Sequence, residues 1–193
     1  MNAEEYLKRG IDYFNKEDHD QAIVELTEAL RLDPNLAEAK KYFPVAIFNR
    51  GAASFRKGDI DRAIDDFTKA TEYDKTDIQY FGALATALTK KGNYDRSIEV
   101  WTAFIDLDKT AQGYHSRANV YYYKSKKHRL EGDKDNFLKY LQFAIDDFEE
   151  CLRHNPNDEQ RAVVQKQLEL AKGEKKNREE VYEAIDKIPG LFQ

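Results

Sequence analysis

The chain has 193 residues, 35% of them charged and 41% apolar, with 11 Phe and 12 Tyr. That balance is too aromatic for disorder and suits amphipathic helices with solvated outer faces. A formal charge of −5, apolar runs of only a few residues and a single cysteine argue against whole-protein attraction to nucleic acid, membrane insertion and an internal disulfide framework.

The opening stretch, MNAEEYLKRG, lacks the apolar core of a secretory signal, so a cytoplasmic location is expected. An exported protein expressed without its signal would read the same way. The first stretch, about 3–36, has a helical pattern like that of the units after it. The stretch NLAEAKKYF precedes Pro44, which favours the first turn of a helix and disfavours α geometry at Phe43. It predicts a short extra helix or a kinked extension. Next, Phe48, Ala52 and Phe55 share a helical face, and Gly58-Asp59 supplies a left-handed stop followed by a cap. Ala63, Ile64, Phe67 and Ala70 make the following stripe. TKKGNYDRS repeats the same punctuation, and Gly132-Asp133 does so again. After Pro156, Val164, Leu168 and Ala171 predict a further helix. The polar stretch GEKKNREE then leads to Val181, Ile185 and Ile188 and ends at Pro189-Gly190, either as one long helix or as two broken near Gly173.

These segments repeat. DQAIVELTEA, DRAIDDFTKA, DRSIEVWTAF and QFAIDDFEEC place a small residue at Ala22, Ala63, Ser97 and Ala144, separated by 41, 34 and 47 residues. A unit of 34 leaves 7 extra residues in the first interval and 13 in the last. Six of the 13 fall in the first helix of the last hairpin and 7 in its second, nearly two turns each at ~3.6 residues per turn. The small residues at 10, 22, 51, 63, 85 and 144 mark places where helices approach closely, and Cys151 takes a similar packing place.

A 34-residue helix–turn–helix unit with these small and aromatic positions resembles the tetratricopeptide repeat. The resemblance covers repeats at about 3–36, 44–77, 78–111 and 112–158, the last with the insertion, and leaves 159–193 as a C-terminal capping helix and tail. Lys75 and Lys109 stand where the family closes a repeat with proline. The resemblance implies an all-α superhelix of hairpins, an α-solenoid whose first helices line a concave groove. It also implies that the protein binds a partner protein or peptide segment there, as an interaction scaffold or adaptor. Mapped on this sequence, the groove comprises Leu7, Ile11, Phe14, Asn15, Phe48, Asn49, Phe55, Arg56, Thr86, Lys90, Tyr123 and Lys124. Arg56, Lys90 and Lys124 recur at one place and predict a basic ladder. The run KSKKHR adds a second basic surface at Lys126, Lys127 and Arg129, or else stabilises a helix C-terminus. The clamp that holds the EEVD tails of heat-shock chaperones is not implied. Only Asn49 fits it, and Leu7, Ile11, Gln79 and Gly82 replace its other four residues.

Catalysis is not expected. The histidines at 19, 115, 128 and 154 lack metal spacing, and there is no phosphate loop or nucleophile elbow, so no metal or cofactor is anticipated. The adjacent acids Asp65-Asp66 and Asp146-Asp147 diverge by ~100° on a helix and read as a solvated face. Two other functions stay open: a dedicated chaperone for an unstable client, and self-assembly through the C-terminal helix.

Overall fold

A computed structural model describes residues 1–186. The described residues form helices and no strands. The helices are α1 (Ala3–Asn15), α2 (His19–Leu32), α3 (Ala37–Lys57), α4 (Ile60–Tyr73), α5 (Ile78–Lys91), α6 (Tyr94–Leu107), α7 (Ala111–Leu130), α8 (Lys134–Arg153) and α9 (Asp158–Asp186). They fall into two units, Met1–Asn93 with α1 to α5 and Tyr94–Gln193 with α6 to α9. Within each unit, consecutive helices pack on one another.

Local chemistry sets the boundaries. Asp18, Asp59 and Asp133 each cap the next helix by accepting a hydrogen bond from the backbone N–H three residues on. Gly58 closes α3 at a φ of 86°, a conformation that a Cβ would strain. The stretch from Ala37 joins the helix through Lys57 without a break, so the extra residues before the second hairpin form a helical extension containing Pro44. Proline there removes the hydrogen bond its N–H would have donated toward Lys40, and its ring crowds that carbonyl. The helices α7 and α8 have 20 residues each, against 14 in α5 and 14 in α6, so the late insertion lengthens both arms of one hairpin. α9 runs through Gly173 as one helix. Of the apolar positions expected near its end, Ile188 and the Pro189-Gly190 stop lie outside the described residues.

Small residues let the pairs close up. A Cβ on Gly51 would sit 2.9 Å from Cε1 of Phe67, so α3 and α4 could not keep their spacing with any other residue. In the first unit Leu7, Ala22, Leu26, Ala29, Phe43 and Ile47 form one continuous core. In the second, Phe148, Cys151 and Val164 pack in one cluster, and Phe137, Leu141 and Ala171 in another.

The repeated AIDDF phrase contains a polar anchor that the sequence reading placed in solvent. Asp65 and Asp146 are exposed, but Asp66 and Asp147 are buried. Each accepts two hydrogen bonds from an arginine on the preceding helix. Arg50 reaches Asp66 at 2.9 and 2.7 Å, and Arg117 reaches Asp147 at 2.7 and 2.8 Å. Arg9 and Glu25 occupy the same places but share a single bond, at 2.5 Å, and the second carboxylate oxygen of Glu25 is buried without a hydrogen-bond partner among the described residues. Each arginine directly precedes a small residue of its helix, Gly10, Gly51 or Ala118. At the corresponding places, α5 carries Leu84 and α6 carries Val100, so both members of the pair are replaced by apolar residues.

Candidate functional site

In the first unit, the last turn of α1 and the C-terminal half of α3 form the walls of a cleft of about 420 Å³. Asn49, Ala52 and Arg56 lie on one face of α3 at i, i+3 and i+7. Phe14 and Asn15 come from α1, Glu17 from the turn after it, and His19 from the start of α2. The turn is tight because Glu17 adopts a φ of 59° and its N–H donates back to the carbonyl of Phe14 at 3.0 Å.

The cleft has one apolar wall and a set of hydrogen-bond donors. Phe14 is held edge-on against Tyr42, with centroids 5.3 Å apart, and lies 6.2 Å from the His19 ring. That packing fixes the ring and leaves part of it at the surface. Asn15, Asn49 and Arg56 add amide and guanidinium N–H groups. Arg56 is exposed and has no ion pair among the described residues, and the Nδ1 atom of His19 is shielded from solvent without a hydrogen-bond partner there. The single carboxylate on the rim is that of Glu17.

Four of the expected groove residues, Phe14, Asn15, Asn49 and Arg56, therefore meet in one cleft. The others of the first unit are used differently. Leu7 is buried in the core and Ile11 packs against it. Phe48 lies 5.4 Å from Phe67 and 5.0 Å from Tyr80, so its ring is engaged in joining α3 to α4 and α5. Phe55 carries the Lys90 ammonium 4.7 Å above its ring centroid. The Thr86 hydroxyl donates to the Gly82 carbonyl at 2.7 Å within its own helix.

In the second unit Tyr123 is exposed and stacks on Tyr94. Lys124 departs from the expected basic ladder. It is buried, pairs with Asp95, donates to the Tyr140 hydroxyl at 2.8 Å and lies 4.0 Å above the Tyr140 ring. Burial opposes its charge, but the bonds to Asp95 and Tyr140 outweigh that cost and raise its pKa. It is a structural cation, not a free one. The KSKKHR run also divides. Lys127 is exposed beside Glu131, whereas Lys126 and Arg129 both turn to Glu174 on α9. The residues missing from the sequence expectation are Glu17 and His19, which enter the cleft only because the α1–α2 turn folds back.

Among the described residues there is no cluster of His, Cys, Asp and Glu able to hold a metal ion, and no helix long and apolar enough to cross a membrane. Cys151 is buried, and burial pushes its thiol pKa up, so it stays protonated at neutral pH.

Comparison with known proteins fits this architecture. Sequence models of the tetratricopeptide repeat match residues 3–36 and residues 45–77. No protein of curated function matches the chain. A tetratricopeptide repeat protein from Parabacteroides merdae superposes with a TM-score of 0.61 at 18% identity, over 98% of this chain and 68% of that one. MamA from Desulfovibrio magneticus superposes with a TM-score of 0.56 at 18% identity, over 96% of this chain and 92% of that one. The first repeat domain of Spaghetti (RPAP3), bound to the HSP90 peptide SRMEEVD, gives a TM-score of 0.54 at 18% identity, over 67% of this chain and 90% of that one. At such identities the likeness speaks for the fold alone. Two tetratricopeptide repeats are thus matched in sequence, at residues 3–36 and 45–77, and helical hairpins pack in succession through both units.

Proposed function

We propose that this protein is a non-catalytic interaction scaffold that binds a segment of a partner protein, and that the α1–α3 cleft is its primary contact. The domain organisation that accompanies this reading is four repeats within 3–158 and a capping segment from 159. The observation that carries it is the composition of the cleft. An immobilised aromatic ring stands beside three side chains rich in N–H groups, and the strongest of them, Arg56, has no ion pair among the described residues. Solvated arginine costs little to leave unpaired, but its planar fork is suited to a carboxylate that brings two oxygens. Phe14 would take an apolar side chain of the segment, and Arg56 with Asn49 would orient an acid or a backbone carbonyl next to it.

The RPAP3 domain shows this fold holding a peptide, which supports the class of ligand. The EEVD tail itself is not proposed, because Leu7, Ile11, Gln79 and Gly82 offer no charge where four of the five clamp residues would stand. A random-peptide display selection against the purified protein, followed by titration of the enriched peptides, tests the reading. Peptides that use the cleft should bind Phe14→Ala and Arg56→Glu about five- to thirtyfold more weakly, at unchanged helicity, consistent with hot-spot losses of ~1–2 kcal/mol. Equal binding by wild type and both variants would remove the cleft from consideration.

A further inference from the structure

The second unit has its own groove, separate from the cleft above and independent of that reading. It lies between the C-terminal half of α7 and the middle of α9, and its volume is about 760 Å³. α7 contributes Tyr122, Lys126 and Arg129, and α9 contributes Lys166, Glu174 and Arg178. With Glu169 on the rim, four cations face two carboxylates in a protein whose formal charge is −5. The cationic excess is therefore local.

One of the two carboxylates shows what the α7 wall accepts. Glu174 takes a hydrogen bond from the Tyr122 hydroxyl at 3.3 Å and another from Nη1 of Arg129 at 2.9 Å, and it pairs with Lys126. Lys126 also lies 4.7 Å above the Tyr122 ring, which fixes its direction. Tyrosine, lysine and arginine thus converge on a single carboxylate that is 16% exposed. Further along the same groove, Lys166 and Arg178 have no ion pair among the described residues. The exposed Leu170 adds an apolar contact beside them. Gly173, also in the wall, has nothing within 4 Å of where a Cβ would be, so the floor there is open to a ligand backbone.

We propose that this groove docks an acidic peptide segment of a partner protein. Lys166 and Arg178 bind its carboxylates, and Glu174 acts as an internal competitor for the Tyr122–Lys126–Arg129 donor set. A carboxylate is the favoured group because a carboxylate already fits. Duplex nucleic acid is disfavoured because Glu169, Glu174 and the net negative charge would repel a dense row of phosphates.

The test starts from the Arg56→Glu protein, so that the first cleft does not contribute. A display library of dodecapeptides is panned on it, and enriched peptides are titrated by fluorescence anisotropy. The proposal expects enriched sequences to carry Asp or Glu and to bind at least tenfold more weakly when Lys166→Glu/Arg178→Glu is added. Both positions lack ion pairs among the described residues, so circular dichroism should report unchanged helicity. Glu174→Gln should tighten the same peptides a few-fold, because it frees two cations, a gain that a purely structural role would not produce. Enrichment without acids, equal binding by the charge-reversed protein, or affinity for a 20-base-pair DNA duplex matching that of the peptides would overturn the proposal. A Glu174→Gln protein that binds no more tightly would overturn the competitor role.

Discussion

Arg117 donates two hydrogen bonds to Asp147, at 2.7 and 2.8 Å, and a third to the Thr102 hydroxyl at 3.0 Å. One guanidinium therefore ties α7 to both α8 and α6. Burial pushes the Asp147 carboxyl up, against the bonds from Arg117. In turn Asp147 raises the arginine pKa, more than its own burial lowers it. Arg117 offsets part of the desolvation of Asp147, and Asp147 more than offsets that of Arg117.

Breaking that pair from one side should be costly. Asp147→Asn or Arg117→Met leaves a buried charge without its partner, and urea denaturation should show a loss of about 3 kcal/mol. Asp66→Asn should cost less, because Arg50, whose pKa the Asp66 bonds raise, also pairs with Asp20 at 3.0 Å and keeps that partner. The adjacent exposed acids are the control. Asp65→Asn and Asp146→Asn should each change stability by less than about 0.5 kcal/mol.

Two glycines inside helices should respond in opposite directions. Gly51→Ala drives a Cβ to 2.9 Å from the Phe67 ring and 3.0 Å from Cβ of Asp66, and should cost about 1–3 kcal/mol. Gly173→Ala meets nothing within 4 Å and gains helix propensity, so it should stabilise by about 0.5–1 kcal/mol. Thermal melts of the two variants decide.

Phe48 and Arg56 separate folding from binding, although both were expected in the groove. Phe48→Ala removes a ring packed on Phe67 and Tyr80 and should destabilise by about 2 kcal/mol in denaturant. Arg56→Ala should leave stability within about 0.5 kcal/mol of wild type and weaken peptides that use the α1–α3 cleft.

Acid sensitivity has an identifiable source at the cap of α8. Asp133 is held below the usual aspartate range, first by the Asn136 side-chain amide, at 2.7 Å, and then by the Asn136 backbone N–H, at 3.1 Å. Because its folded-state pKa lies below its unfolded one, its contribution is complete above the unfolded value of about 3.9 and is lost as pH falls through the folded value. Asp133→Asn keeps a capping side chain but cannot titrate. Its thermal midpoint should therefore fall less steeply than wild type below about pH 4.

Cys151 should be inert while the protein is folded. Burial raises its thiol pKa, so Ellman's reagent at neutral pH should react with it only after denaturant is added. Rapid native labelling would contradict its place in the α7–α8–α9 core.

The hairpins, the repeat spacing, the turns at Gly58 and Gly132 and the equal lengthening of α7 and α8 could all be read from the chain, because they rest on helical periodicity and capping within a few residues. The two AIDDF phrases were legible as a repeat but not as an anchor. Whether Asp66 faces water depends on Arg50, 16 residues away on another helix, and only packing brings the two together. The same limit governed the site. Phe14, Asn15, Asn49 and Arg56 could be placed on groove-facing helices through the resemblance to the tetratricopeptide repeat, but their union with His19 required the fold of the α1–α2 turn. Sequence spacing also gave Lys124, Lys126 and Arg129 the look of free cations. Tertiary structure decided otherwise, because Asp95 and Glu174 come within reach only once α6 and α9 have packed against the α7–α8 hairpin. Periodicity reports which face of a helix is apolar, whereas a charge is spent or free according to neighbours that periodicity does not encode.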